Sequence, residues 1–350
     1  MPQHRQLTVG LIGAGRIGSN HAELLARAVP ETLLAVVADP VEGAAARLAT
    51  ALGVERAATD LGGVLADPAL DAVVITAPAR FHAGLVEQAA AAGKAVFCEK
   101  PAGMDLEEIE RVARAVEEHG TVFRVGFNRR FADGFPQARR AVDEGRLGTP
   151  QLLRSTTRDP GLVDPAAVAP WTIFRETLIH DFDALNFLNP GARAVEVHAV
   201  ADALVAPEHK DAGLLDTAVV TVRYDNGAIA TAEASFSAAY GYDTRAEVFG
   251  SGGMATVGEL AASSLRLYGP EGLSADTLRC DTQSMGRAYA AELRSFALAA
   301  LGRPAGTGPE DPAEAPGVDA AREALRIALA CIESCRTGAP VRLPASGAGR

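Results

Sequence analysis

Gly13-Ala14-Gly15-Arg16-Ile17-Gly18 follows an apolar run, Leu7 to Ile12, and opens a helical pattern, with Asp39 closing the next apolar run. That context is what a dinucleotide-phosphate turn requires. Gly13 permits the tight turn, Gly15 leaves its side-chain space to a pyrophosphate, and Gly18 lets helix and sheet approach closely. A helix starting at Arg16 and Ile17 offers free N–H groups and partial positive charge to phosphates. Asp39 would accept hydrogen bonds from ribose hydroxyls and repel a 2′-phosphate, which favours NAD over NADP. Two further groups could handle protons. Glu99-Lys100-Pro101 ends an apolar strand-like run, and ligands of open parallel sheets bind beyond the carboxyl ends of strands. Lys100 therefore points at the place of a nicotinamide; a plain surface lysine is the competing reading. His180 is flanked by Glu176 and Asp183 at helical spacing. The three would form one polar stripe opposite Leu178, Phe182 and Leu185, with a carboxylate one turn away to orient the ring and support its protonated form. Alcohol oxidation with NAD needs such a base, and the unperturbed histidine pKa of about 6.5 suits it. A solvated helix face is the alternative.

The elements that must position these residues can be read from periodicity. Apolar runs at Leu7–Ile12, Leu33–Ala38, Ala72–Thr76, Ala95–Cys98 and Thr121–Gly126 alternate with helical patterns near 16–28, 41–52, 81–92 and 106–119. Such alternation predicts a doubly wound parallel sheet, a Rossmann domain over 1–126. The rhythm then changes. Helices near 134–144 and 174–188 are followed by strand-like segments at 195–200, 218–224, 228–235, 245–249 and 264–268. Asp225-Asn226-Gly227 between two of them is a hairpin signal. A second α/β domain with an open, mainly antiparallel sheet is expected over 127–337. A helix is expected near 288–301, a loop over 302–317, a last helix over 318–336 that packs back on the first domain, and a frayed tail over 338–350.

The chain has 350 residues, 48% of them hydrophobic, and a net charge of −11. These values fit a two-domain globular protein. They argue against a nucleic-acid partner, which would need a basic face. No apolar stretch reaches the roughly 18 residues of a membrane span, and no secretion signal opens the chain. Cys98, Cys280, Cys331 and Cys335 lack a histidine or third cysteine at zinc-ligand spacing. Reduced thiols, no metal and a cytoplasmic location are therefore expected. The lysines number three, Lys94, Lys100 and Lys210, in a chain otherwise biased to arginine. Lysine, unlike arginine, can titrate near neutrality.

Four segments together, GLIGAGRIGSNHA, HAGLVEQAAAAGKAVFCEKPAG, GFNRRF and VDAAREALRIALACIESCRTGAPVRL, resemble the Gfo/Idh/MocA oxidoreductases over almost the entire chain. Within that family, Thr157–Pro160, Ile179–Asp183 and Tyr240–Asp243 are similar to segments of inositol 2-dehydrogenases. The resemblance implies that His180 is the acid/base, oriented by Glu176, and that Lys100 hydrogen-bonds the reacting hydroxyl. It places Thr76, Ala77, Pro78, His82 and Glu99 on the cofactor side; a capping or structural role suits His82 equally. Asn128, Arg129, Arg158, Asp159, Asp183, Tyr240 and Tyr242 are the candidate polyol contacts, with Tyr242 alternatively a core aromatic. Arg130 is expected as a surface or interface charge. The resemblance also implies homodimers or homotetramers formed through the open sheet.

One departure stands out. Inositol-type members usually carry aspartate at the position of Glu176, after a glycine-rich segment, where this chain reads Pro170-Trp171-Thr172-Ile173-Phe174. Trp171 and Phe174 would either narrow the pocket, stack on a sugar ring or pack in the core. The expected activity is NAD-dependent oxidation of a ring hydroxyl of a cyclitol or sugar. The alternatives are dehydrogenation of an aminocyclitol, glucoside or anhydrosugar, a redox-neutral elimination, and regulatory NAD or sugar binding without turnover.

Overall fold

The computed structural model describes residues 5–161, 164–165, 168–258, 260–304 and 315–344. Much of the expected loop over 302–317, namely 305–314, and residues 345–350 of the expected tail lie outside the described residues. The chain divides into two compact units, Met1–Phe131 with Arg287–Arg322, and Ala132–Gly286 with Glu323–Arg350.

In the first unit, β1 (Leu7–Ile12), α1 (Arg16–Arg27), β2 (Thr32–Ala38), α2 (Ala44–Leu52), β3 (Arg56–Ala58), α3 (Leu61–Leu65) and β4 (Ala72–Ile75) come first. They are followed by α4 (His82–Ala91), β5 (Ala95–Cys98), α5 (Leu106–Glu118) and β6 (Phe123–Val125). The sheet order is β3-β2-β1-β4-β5-β6, and every pairing is parallel. This is the doubly wound order whose reversal between β1 and β4 opens a ligand crevice. Strands β1, β4 and β5 are buried almost throughout because helices cover both faces. That is why they read as continuous apolar runs. Val9, Leu11, Val37, Val74 and Phe97 share one core with Ala22 and Leu25 of α1. Leu293, Phe296 and Ala297 of a later helix belong to the same core.

The second unit begins with α6 (Phe135–Asp143) and β7 (Pro150–Arg158). A π-helical turn, Ile173–Thr177, precedes α7 (Leu178–Leu188). Then come β8 (Ala194–Asp202), β9 (Thr217–Tyr224), β10 (Ile229–Ser235), β11 (Asp243–Gly250) and β12 (Gly253–Val257). A small hairpin is made by β13 (Leu267–Gly269) and β14 (Gly272–Ser274). The helices α8 (Asp281–Ala300) and α9 (Val318–Thr337) and the short β15 (Val341–Arg342) complete the chain. The large sheet runs β12-β11-β7-β10-β9-β8-β15 and is antiparallel except where β10 pairs with β7. The hairpin signal is accounted for: Gly227 sits at φ 88° between β9 and β10, and Asn226 Oδ1 accepts the Ala228 N–H.

Alternation along the strands gives this sheet two unlike faces. Leu153, Val220, Val222, Ala230, Ala232 and Val248 are buried, and α7 packs against β7 and β10. On the other face Met254, Phe249, Leu152 and Ile229 pair directly across β12, β11, β7 and β10 and are all exposed. Val219 and Val200 continue the exposed face on β9 and β8.

Two local expectations need correction. The predicted helix over 174–188 is not one regular helix, because Ile173–Thr177 winds as a π turn. The cause lies at its entrance. Trp171 holds φ 65°, a left-handed conformation rare for a bulky residue, and its carbonyl accepts both the Phe174 and Arg175 N–H groups. Strain of this kind, and π turns generally, cluster at functional sites. Arg130, expected as a surface or interface charge, is buried within the chain together with the whole Asn128–Phe131 turn.

Candidate active site: a dinucleotide cleft and a buried polar helix

The glycine turn carries a distinct physical reason at each position. Gly13 takes φ 105°, and a Cβ there would meet the Thr76 and Ala77 backbone at 2.7 Å. A Cβ on Gly18 would stand 2.0 Å from the Gly13 carbonyl oxygen. Gly15 differs: a Cβ there meets nothing within 4 Å. The protein itself therefore does not require glycine at 15; the empty space in front of the helix N-terminus does. Gly15 and Arg16 are exposed at that helix start, and no side chain caps it.

Asp39 closes β2 beside this turn. Its Oδ2 accepts the Ala14 N–H at 2.7 Å and its Oδ1 accepts the Val41 N–H at 2.8 Å. A carboxylate oxygen has capacity for a second donor, so the group is fixed by the turn yet remains able to receive a hydroxyl pair. Thr76, 6% exposed, spends its hydroxyl on the Ile12 and Gly13 carbonyls and ties β4 to the turn.

A cleft of about 1030 Å³ opens over these residues, lined by Gly13, Gly15, Arg16, Ile17, Asp39, Thr76, Ala77 and Pro78. Pro40, Val41, Leu61, Arg80, Phe81, Leu85, Gln88 and Arg111 also line it and were missed by sequence reasoning. The apolar Val41 and Phe81 are 64% and 49% exposed there. Such exposure has a rationale as a wall for a flat ring. The signal was available, since Val41 follows the acidic strand end and Phe81 the β4 end. The residues present fit an extended, doubly charged dinucleotide.

At the carboxyl ends of β4 and β5, His82 is 1% exposed. Its Nε2 faces the Ala77 carbonyl at 2.7 Å and its Nδ1 the Pro101 carbonyl at 2.8 Å. The ring thereby links the two loops, which is the structural reading of this residue. Burial holds its pKa below the usual histidine value although both carbonyls favour the proton. Glu99 is 6% exposed. Its Oε1 accepts from His21 Nε2 at 2.8 Å and its Oε2 accepts the Lys100 backbone N–H at 3.2 Å. Lys100 itself is half-buried, and the Lys100–Pro101 peptide is cis. Asn128 and Arg129 follow β6 in a buried 3-10 turn.

In the second unit, Glu176 lies in the π turn and His180 in the first turn of α7, so a single α-helical stripe does not describe them. Both are half-buried. Asp183 is 1% exposed, and its charge adds to burial in pushing the Tyr224 hydroxyl pKa up. The helix is buried almost all round, which excludes a solvated polar face. Asp181, overlooked in the sequence, is fully buried and accepts from Ser155 Oγ at 2.5 Å and Thr157 Oγ1 at 2.7 Å. These bonds pin the helix to β7. Phe174 is fully buried, and Trp171 stacks on it and against the Arg336 guanidinium, so both are committed to packing.

Polar residues at the end of β7, on β10 and at the start of β11 form one network. Arg158 donates to Glu233 at 2.7 Å and to the Tyr240 hydroxyl, which donates to Asp243 at 2.7 Å. Asp159 joins it through its backbone, its N–H bound to Ser235 and its carbonyl to Ala238. Tyr242 is half-buried next to this network.

A parallel sheet in the 3-2-1-4-5-6 order, a glycine turn at its crevice and an acidic end to β2 define a dinucleotide-dependent oxidoreductase domain. Comparison with known proteins agrees. Residues 7–127 match the family model for the oxidoreductase family with an NAD-binding Rossmann fold, and residues 135–256 match the GFO/IDH/MocA C-terminal domain. The chain belongs to the Gfo/Idh/MocA family of NAD-binding oxidoreductases. It is 34% identical to scyllo-inositol 2-dehydrogenase (NAD(+)) of Bacillus subtilis, over 97% of this chain and 96% of that protein. It is 39% identical to myo-inositol 2-dehydrogenase of Thermotoga maritima, over 71% and 74% of the two chains. Among solved structures, scyllo-inositol dehydrogenase from Lactobacillus casei with bound NAD(H) and scyllo-inositol superposes with a TM-score of 0.89 at 26% identity. That match covers 97% of this chain and 99% of the other. Among the described residues no helix is long and apolar enough to cross a membrane.

Proposed function

We propose that this protein is a cytoplasmic, NAD-dependent dehydrogenase that oxidises a secondary ring hydroxyl of an inositol-like cyclitol. The observation that carries this reading is Lys100 at the carboxyl end of β5, in the same sheet whose β1 and β2 ends frame the dinucleotide cleft. The names of the inositol dehydrogenases similar over both domains support the substrate class.

The N–H groups at the start of α1, around Gly15, Arg16 and Ile17, would hold the pyrophosphate, and Asp39 would hold the adenosine ribose and select against NADP. Thr76, Ala77, Pro78, His82 and Glu99 shape the nicotinamide side. Bound NAD supplies the acceptor for the hydride that leaves the ring carbon. Lys100 donates a hydrogen bond to the reacting oxygen and favours its deprotonation. His180 takes the hydroxyl proton, and Glu176 orients the ring and stabilises the imidazolium. Asn128, Arg129, Arg158, Asp159, Asp183 and Tyr242 receive the remaining hydroxyls, whose outward directions call for donors and acceptors on several sides.

The exposed apolar row of the large sheet, Met254–Phe249–Leu152–Ile229, supports a homo-oligomer in which a second copy covers that face. A second substrate reading, a glucoside, aminocyclitol or anhydrosugar, is favoured by one feature. Glu176 stands in a π turn behind the strained Trp171, where inositol-type enzymes usually carry aspartate.

Purified protein offered NAD with a panel of cyclitols and pyranoses decides between them by the rate of NADH formation. Turnover of scyllo- or myo-inositol well above that of pyranosides is expected. Turnover confined to glycosides selects the second reading, and no NADH with any ring polyol overturns both.

A further inference from the structure

Next to Lys100 lies a cluster of which the mechanism above uses only Glu99. His21 of α1, Glu99 at the end of β5 and Glu292 of α8 are each buried, with 0%, 6% and 2% exposure. One ligand-type atom from each lies within 4.8 Å of the others. All three belong to the first unit. Glu99 is the fixed member, bound to His21 Nε2 and to the Lys100 N–H. The Cα of Gly126 closes the other side, where a Cβ would touch the Glu99 carboxyl at 3.0 Å. Against this order stand three unsatisfied atoms: His21 Nδ1 and both carboxyl oxygens of Glu292.

A buried, unpaired carboxylate is among the costliest groups a protein can hold, and two of them side by side cannot both be ionised cheaply. Glu99 has the donors that stabilise a negative charge. Burial alone would raise its pKa, but the His21 bond, with the nearby charges of Lys100 and His82, holds it below the usual carboxylate range. Glu292 has none. Burial and the Glu99 charge push its pKa well above that range. An ionised Glu99 only accepts, so His21 Nε2 carries the proton of that bond.

We propose that Glu292 is kept as a neutral carboxylic acid beside the His21–Glu99 pair, and that this buried cluster positions the Lys100 strand end. Glu292 and His21 are thus positioning residues acting through Glu99. A neutral Glu292 leaves Glu99 as the one carboxylate charge of the cluster beside Lys100. The Tyr289 ring, one turn before Glu292, packs edge-on against His21 with centroids 5.4 Å apart. The titratable groups facing the cluster are Lys100, His82, Tyr289 and the buried Cys98 thiol. The proposal rests on the reading of Lys100 as the group that binds the reacting hydroxyl.

Infrared difference spectroscopy of the whole protein, wild type minus Glu292→Gln at neutral pH, tests the protonation directly. A carboxylic-acid C=O band present in the wild type and lost in the variant is expected; its absence overturns the proposal. Kinetics test the positioning. Gln keeps a neutral donor, so Glu292→Gln should stay within about threefold of wild-type kcat, whereas Glu292→Leu should lose about tenfold or more with NAD affinity little changed. Equal loss in both variants means that only packing matters and overturns it. So does a stoichiometric divalent metal in the purified protein, which would make the three residues ligands instead. Lys100→Ala is measured alongside: if it retains turnover, the Lys100 reading has failed while the infrared band still decides the state of Glu292.

Discussion

The Asp39 carboxylate accepts the Ala14 backbone N–H at 2.7 Å. The acidic end of β2 and the glycine turn are thereby one unit, and the group proposed to read the ribose is held by the loop proposed to read the phosphates. Replacing Asp39 with alanine removes a charge-assisted bond worth about 1.5–3 kcal/mol. We expect NAD affinity to fall about tenfold or more and the preference for NAD over NADP to shrink, since the repulsion of a 2′-phosphate disappears. Parallel KM measurements for the two cofactors check both statements. An unchanged ratio would mean that another residue discriminates.

The two later glycines of the turn should separate folding from binding. Gly18→Ala places a Cβ 2.0 Å from a backbone oxygen that cannot move without the turn. A loss of stability, read as a lower Tm with or without cofactor, is expected. Gly15→Ala meets no protein atom within 4 Å. Its Tm in the absence of cofactor should match the wild type while NAD binding by calorimetry weakens strongly. A Gly15→Ala protein that binds NAD normally would remove this turn from the cofactor site.

The exposed row on the large sheet can be tested at its centre. Leu152 is 51% exposed and flanked in register by Phe249 and Ile229. Leu152→Lys puts a charge into any surface buried there, at a cost that a monomer would not feel. Sedimentation velocity should show the variant as a smaller species than the wild type, with the same far-ultraviolet circular dichroism. If the wild type sediments as a monomer, the row has no partner of its own kind.

The sequence made some of this architecture legible and hid the rest for identifiable reasons. The parallel sheet was readable because β1, β4 and β5 are buried on both faces and must be continuously apolar. The alternation along β9 and β10 announced one exposed face. The short β3 and α3 were invisible, since Arg56–Ala58 and Leu61–Leu65 are too brief to show a period. The π turn escaped because periodicity assumes regular winding, whereas Trp171 at φ 65° resets it. The Rossmann site was legible through local spacing. The His21–Glu99–Glu292 cluster was not, being assembled from three distant segments. A signal existed all the same: Glu292 lies in line with Ala288 and Phe296, and His21 with Leu25, so each is a polar residue on a core-facing stripe.

Acid sensitivity should concentrate at Asp216. This buried carboxylate accepts the N–H groups of Leu204, Val205 and Ala206 and the Thr217 hydroxyl. Burial works to raise its pKa, but the three amides and the hydroxyl together lower it below the usual aspartate value. A lowered folded pKa means that the stabilisation is present above the unfolded value of about 3.9 and is lost as pH falls through the folded one. Asp216→Asn should cost about 1–3 kcal/mol at neutral pH and flatten the decline of Tm on acidification. Parallel Tm curves for the two proteins down to pH 3 would deny this carboxylate its role.

Chemistry and binding should part at Lys100 and His180. Neither lines the dinucleotide cleft, so alanine at either position should leave NAD affinity within about twofold while turnover drops about 10²–10⁴-fold, the usual weight of a general acid–base group. Glu176 offers a graded third measurement. On its proposed role of orienting His180 rather than touching the reacting carbon, Glu176→Gln should lower kcat less than His180→Ala does. It should also move the acidic limb of the kcat profile downward, since the imidazolium loses a stabilising charge and the ring gives up its proton at lower pH. Glu176→Asp keeps the charge but withdraws it by one methylene. If the π turn exists to present the longer side chain, aspartate here should behave like glutamine. Should Glu176→Asp match the wild type in both kcat and pH profile, the reach of Glu176 is immaterial and the Trp171 strain must serve something else.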